Sequence, residues 1–338
     1  MTLAAIFGCA GHGLTEREAA FFRDAAPWGF ILFKRNVDSP EQVRALVDQL
    51  RATVGRADAP VLIDQEGGRV ARLTPPHWRR YPPGHAYGQI PSAEARSDIA
   101  WLGARLMARD LFDLGINVDC APVLDVPAPQ GHEIIGDRAY GDGPEVVAGL
   151  GRAAAMGLLA GGVLPIIKHI PGHGRAAADS HLDLPIVDAS MSELEARDFA
   201  PFRALADMPL AMTAHVVYAA VDPTLPATTS PKVIGTVIRD WIGFDGLLIS
   251  DDLSMKALSG DFADRARDSL SAGCDIVLHC NGDAKEMAAV AGGSCLLDGD
   301  AARRAGAALG RIVAGPAPFD AAEGRRRFDA AFGERFAA

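Results

Sequence analysis

Short runs of β-branched and other apolar residues recur along the chain, each followed by a polar or glycine-rich loop and then an alanine-rich stretch with helical spacing. The runs are "LAAIFGCA" (3–10), "GFILF" (29–33), "PVLIDQ" (60–65), "INVDCAPVLDV" (116–126), "VLPIIKH" (163–169), "LAMTAHVV" (210–217), "GLLISDDL" (246–253) and "DIVLHC" (275–280). Runs that stay apolar instead of alternating belong to strands covered on both faces, and such strands separated by helices build a parallel sheet. "SPEQVRALVDQLRATV" (39–54) shows the helical half of the pattern, with Ser39 as N-cap and Pro40 in the first turn. Eight units in succession predict an α/β fold, a single (β/α)8 barrel of the TIM type; a doubly wound open sheet is the alternative. No Ser/Gly/Pro-rich linker divides the chain. The expectation is one catalytic domain over 1–338, with a short helical extension packed outside it after "GPAPFD" (315–320).

Polar residues gather where the apolar runs end. Asp64, Asp125, Lys168, His169, His215, Asp251 and His279 all stand at C-terminal ends of predicted strands, the rim on which barrel enzymes place their chemistry. Strand ends are also where solvent begins, but so many titratable groups on one rim point to an active site.

Length and composition narrow the function. With 338 residues, 49% hydrophobic and 22% charged, the chain has the profile of a folded globular protein and can bury one large core. Its formal charge of -10, with the one "RRR" (325–327) flanked by Glu323 and Asp329, offers no basic face, so no nucleic-acid partner is expected. Five cysteines without a CxxC pair, mostly in apolar surroundings, suit reduced thiols in a cytoplasm. The N-terminus lacks a basic start and an adequate apolar stretch for a signal peptide and reads as a first strand. No apolar run approaches the ~20 residues of a membrane span, so no membrane partner is expected either.

Three stretches carry candidate chemistry. In "KHIPGHGRAAADSHLDLP" (168–185), Lys168 and His169 end a strand, and the glycines and Pro171 force a turning loop bearing His173, Arg175, Asp179 and His181. A carboxylate two residues from a histidine can accept one ring N–H and raise the basicity of the other nitrogen, so Asp179 and His181 can form an acid/base dyad or be ordinary loop residues. His169, His173, His181 and Asp179 are also suitable zinc ligands. Barrel metallohydrolases usually add a histidine pair from the first strand, however, and here that region offers His12 alone, so no metal and no cofactor are expected. A phosphate cradle is disfavoured too, because no helix-opening glycine loop ends in Lys-Ser or Lys-Thr. In "GLLISDDLSM" (246–255) strand alternation sends Asp251 and Asp252 to opposite sides, so one of them faces the mouth; an N-cap role fits Asp252 better. In "VLIDQEGGRVARL" (61–73) Asp64, Arg69 and Arg72 can bind sugar hydroxyls or stitch the loop by a salt bridge, and Arg138 in "HEIIGDRAYG" (132–141) has the same two readings.

Taken together, "DQEGGRV", "APVLDV", "GDRAYG", "KHIPGHG", "ADSH", "GFDGLLISDDLSM" and "AGCDIVL" resemble the family 3 glycoside hydrolases, in particular bacterial β-N-acetylglucosaminidases of peptidoglycan recycling, over about residues 29–278. The resemblance implies a single barrel and a retaining double displacement. Asp251 matches the nucleophile, His181 the general acid/base supported by Asp179, and Asp64, Arg72, Arg138, Lys168 and His169 the sugar-binding positions, while His173 matches without a role. It further implies small-molecule partners, β-N-acetylglucosaminides and muropeptides. The motifs leave the oligomeric state open, with a monomer as the expectation. Retaining hydrolysis usually pairs two carboxyl groups; here a histidine, with an ordinary pKa near ~6.5, would take the second role. Phosphorolysis on the same scaffold, a metal-dependent amidohydrolase and a silent sugar-binding protein are the competing readings. Arg175 adds a positive charge to the dyad loop, either solvated or facing an anionic aglycone.

Overall fold

The computed structural model describes residues 1–129, 131–176, 180 and 183–333. Eight parallel strands close into a barrel: β1 (Leu3–Gly8), β2 (Pro27–Leu32), β3 (Val61–Ile63), β4 (Val118–Asp119), β5 (Leu164–Ile170), β6 (Leu210–Thr213), β7 (Leu247–Asp252) and β8 (Ile276–His279). Each strand pairs with its neighbours in sequence, and β8 closes on β1 through Ala5 with Val277 and Ile6 with Leu278. Helices Glu16–Ala25, Pro40–Val54, Ala93–Phe112, Pro144–Ala160 and Phe262–Ala272 supply crossovers, with helical segments 191–204 and Val233–Trp241 between β5 and β7. The barrel expected from the runs is thus present. The helix at Pro40 starts as its sequence dictates, with the Ser39 hydroxyl accepting the Gln42 N–H at 3.3 Å, and stops at Gly55 with φ +62°.

The predicted strand 116–126 is shortened to two ladder residues. Pro122 brings no N–H to pair, and past it the chain runs beside β5 with isolated bonds, Lys168 N–H to Pro122 O and Leu124 N–H to Lys168 O.

Strand alternation decides what faces the barrel axis. Leu62, Leu164, Ile166, Leu210, Leu247, Ile249 and Ile276 fill the interior, while Ile167, Ala211 and Leu248 face the helices. One step further along the inward parity, Leu62 leads to Asp64, Ile166 to Lys168 and Ile249 to Asp251, all at the mouth. The core is therefore apolar below and charged at one end.

The opposite end is tied by Asp275, just before β8. Its carboxylate accepts the Leu248 N–H at 2.8 Å, Arg239 at 2.8 Å and Arg304 at 2.9 Å, joining two strands to the Val233–Trp241 and Gly299–Gly310 helices. The extension after residue 320 is a helix, Ala321–Phe332, capped by Asp320 and seated through buried Phe328 against Tyr81 and Tyr87. Among the described residues no helix is long and apolar enough to cross a membrane.

Replacing Asp275 by alanine strands two largely buried guanidinium groups and a strand N–H. Urea titration is expected to show a loss of about 3 kcal/mol. Asp207→Ala, which removes an exposed partner of Arg152, is expected to cost less than about 1 kcal/mol.

Candidate active site

At the C-terminal mouth of the barrel lies a cavity of about 270 Å³. The hairpin after β3 builds one wall. Gln65–Gly67 pairs antiparallel with Val70–Ala71, and the turn needs Gly67 and Gly68 at φ +96° and +57°; a Cβ on Gly67 would meet Pro82 O at 2.3 Å. The Gln65 amide oxygen accepts the N–H groups of Arg72 and Leu73 at 2.9 and 3.0 Å. That folds Arg72 back beside Asp64.

The result is a row of alternating charge. Arg72 Nη2 lies 3.0 Å from Asp64 Oδ2, Lys168 Nζ 3.0 Å from Asp64 Oδ1 and 2.6 Å from Glu66 Oε1, and Arg138 grips both Glu66 oxygens at 2.8 Å. Burial alone would raise the two carboxyls, but Lys168 with Arg72 holds Asp64 well below the carboxylate range, and Lys168 with Arg138 brings Glu66 to about 2. Burial would also pull Lys168 down, yet Asp64 and Glu66 outweigh it and raise it. All five side chains are charged at neutral pH, a mixed set of donors and acceptors suited to neighbouring sugar hydroxyls. Ile31, Phe33, Val70, Ile134, Ile135, Met212 and Met255 supply apolar lining. Arg69 pins the loop carrying Ile134 and Ile135 through Asp137 and the carbonyls of Glu133, Ile134 and Ile135.

His169 reaches the cavity from the end of β5. Its Nδ1 lies 2.6 Å from Oδ2 of buried Asp125, whose Oδ1 accepts the N–H groups of His169 and His173 at 3.2 and 2.7 Å. Nδ1 therefore donates to Asp125, leaving Nε2 for a ligand. His173 is buried, with Nε2 3.1 Å from Ser180 Oγ. Burial first, and nearby His169 second, lower it to about 4 against the pull of Asp125.

The paired aspartates of β7 separate by role. A register shift between Ile249 and Asp252 lets both reach the mouth. Asp252 is occupied by structure: its carboxylate accepts the N–H groups of Ser254 and Cys280 at 3.0 and 3.1 Å and the Ser254 hydroxyl at 2.5 Å. Asp251 Oδ1 accepts the Asp252 N–H at 2.8 Å, which aims its carboxylate along the cavity wall.

The structure thus brings together Asp64, Arg72, Arg138, Lys168, His169 and Asp251 around one cavity. Asp179 and His181 lie outside the described residues. Three rim candidates fall elsewhere: Asp125, His215 and His279 are fully buried behind the wall, because their positions or strand parity turn them from the axis. Arg175, partly exposed, is bound to buried Asp198 at 3.0 Å. Glu66 was missed, although it stands two residues beyond Asp64 and so shares its face. Among the described residues no three His, Cys, Asp or Glu side chains are placed to hold a metal ion.

A family model described as "Glycosyl hydrolase family 3 N terminal domain" matches residues 15–299. A curated relative named "Beta-hexosaminidase" from Alkalilimnicola ehrlichii is 42% identical over 286 residues, 82% of this chain and 80% of the relative. The crystal structure of NagZ from Neisseria gonorrhoeae in complex with N-trifluoroacetyl-D-glucosamine superposes with a TM-score of 0.84 at 35% identity, covering 98% of this chain and 96% of that one. The same protein in complex with zinc ion gives 0.83 at 34%, with the same coverage.

The lowered His173 sets a pH dependence. Below pH ~6.5 the unfolded chain takes a proton that the native imidazole refuses until about 4, so stability falls as pH drops through that window, by on the order of 3 kcal/mol from this residue. His215 and His279, also lowered by burial, act with the same sign. In urea titrations from pH 7 to 4.5, His173→Gln is expected to give a shallower slope than wild type; parallel slopes would place the native histidine at its ordinary value.

Proposed function

The chain belongs to glycoside hydrolase family 3, and on that basis we propose that it is a single-domain, retaining exo-β-N-acetylglucosaminidase that releases terminal β-linked N-acetylglucosamine from peptidoglycan fragments in the cytoplasm. The observation that carries the reading is the Asp251 carboxylate standing in one cavity with the Arg72–Asp64–Lys168–Glu66–Arg138 row and His169. Binding a sugar needs the row alone; an aspartate oriented by the N–H of the next residue on the adjacent wall supports a nucleophile. The muropeptide substrate rests on the resemblance of the motifs, and the cytoplasmic setting is supported by five free thiols, four of them buried.

In the proposed reaction Asp251 attacks the anomeric carbon while the His181 imidazolium gives its proton to the departing glycosidic oxygen. The C1–O bond breaks and a glycosyl-aspartate forms. Neutral His181, held by Asp179, then takes a proton from water attacking C1, and the Asp251 ester bond breaks to free the sugar with its configuration retained. Asp64 and Glu66 accept hydrogen bonds from sugar hydroxyls, Lys168, Arg72, Arg138 and the His169 Nε2 side complete the grip, and water is displaced by the apolar lining. Donors fixed before the substrate arrives need no reorganisation as charge develops.

A 5-fluoro glycosyl fluoride of N-acetylglucosamine, which keeps the acetamido group, is expected to label Asp251 in peptide mapping; label elsewhere overturns the assignment. Asp251→Asn is expected to lower kcat by roughly 10,000-fold.

Activity on an aryl β-N-acetylglucosaminide is expected to survive exhaustive chelation, and product formed in phosphate buffer is expected to be free sugar. Loss with chelator would favour a metal-dependent hydrolase, and sugar 1-phosphate would favour phosphorolysis. Comparing a muropeptide with chitobiose reads the aglycone preference.

A further inference from the structure

Behind Asp251, on the outward side of β6, three polar side chains are fully buried: Thr213, His215 and Thr228. None of them lines the cavity. Thr213 Oγ1 lies 2.8 Å from Thr228 Oγ1, and Thr228 Oγ1 lies 2.7 Å from His215 Nδ1. The row ends on the nucleophile strand at both sides: the Asp251 N–H points at Thr213 Oγ1 at 3.4 Å, and His215 Nε2 lies 3.1 Å from the Asp252 carbonyl.

The chemistry of the ends fixes the direction of every bond. A carbonyl accepts, so His215 Nε2 carries the hydrogen and donates. Nδ1 of the neutral ring then accepts from the Thr228 hydroxyl, whose one hydrogen follows this 2.7 Å contact over the Ala214 carbonyl at 3.2 Å. Thr228 in turn accepts from Thr213, which is left with a lone pair for the Asp251 N–H. A protonated His215 would place a second N–H against Thr228 and reverse the row. Burial lowers this imidazole, and the groups facing it are Asp251 and Asp252 from β7 and His169 from β5.

We propose that Thr213, Thr228 and His215 are positioning residues that bracket Asp251 and Asp252 with a one-way hydrogen-bond relay, from the Asp251 N–H to the Asp252 carbonyl, and so hold the carboxylate on its line of attack. The inference rests on Asp251 being the nucleophile. The Asp252 N–H that orients Asp251 Oδ1 belongs to the residue whose carbonyl His215 holds, so the relay reaches the reacting oxygen through one residue of rigid backbone. The 3.4 Å contact is its weakest link. Three buried hydroxyl and imidazole groups are a costly way to fill a core that valine and phenylalanine would fill, and their mutual satisfaction behind the attacking residue accounts for that cost.

The test is Thr228→Val, with Thr213→Val as an independent break in the same row and Thr228→Ser as the rescue. The expected result is that kcat and the rate of Asp251 labelling by the 5-fluoro glycosyl fluoride fall about tenfold, while the inhibition constant of N-acetylglucosamine stays within about twofold of wild type. Thr228→Ser is expected to recover most of the loss. Labelling rates that change by less than about threefold in both valine variants, or a loss that appears equally in sugar affinity or resists the serine rescue, overturn the relay. Peptide mapping of the labelled wild type separates the two failures: label off Asp251 sinks the nucleophile assignment, whereas label on Asp251 at an unchanged rate sinks the relay alone.

Discussion

The site depends on one buried ammonium. Lys168 is 2% exposed, and a cation at that depth stays charged because Asp64 and Glu66 meet it from the same hairpin. Those carboxylates then need further cations, which Arg72 supplies from the returning strand and Arg138 from the loop after β4. The interior of the barrel mouth is thus a charge-balanced lattice whose members come from three separate parts of the chain. Losing Lys168 leaves two carboxylates facing each other in a place poor in water, so the lysine organises the hairpin and the loop.

The remainder follows from alternation along strands. An inward face that is leucine and isoleucine for most of its length changes to aspartate and lysine at its last inward position. Packing below and hydrogen bonding above are therefore continuous, and the polar groups inherit the rigidity of the strands that carry them. On β7 the same economy divides two adjacent carboxylates: Asp252 spends its acceptors on Ser254 and Cys280, which leaves Asp251 to face the cavity from a fixed backbone.

The barrel was legible because its strands are covered on both faces and so read as apolar runs, eight of them in series. The fourth was overread because Pro122 looks apolar yet ends the ladder. In the site, Asp64, Arg72, Arg138, Lys168, His169 and Asp251 do converge, and the ion pair read for Asp64 with Arg72 is present and lines the cavity. Rim position alone misled for Asp125, His215 and His279, because a residue at a strand end can face either side; the parity of Ala211 and Val277, which pack under the helices, turns His215 and His279 outward. Glu66 shows the converse, a hairpin residue whose place on the Asp64 face a two-residue period was enough to reveal. Arg175 could not be read at all, because Asp198, its partner, is distant in sequence and brought near by the fold.

The Asp275 clamp has a consequence for how this molecule can change. It gathers two strands and two helices at the end of the barrel remote from the cavity, so cohesion and catalysis are lodged at opposite poles of one cylinder. Selection, or an engineer, can harden the one pole against heat while the loops of the other drift toward new aglycones.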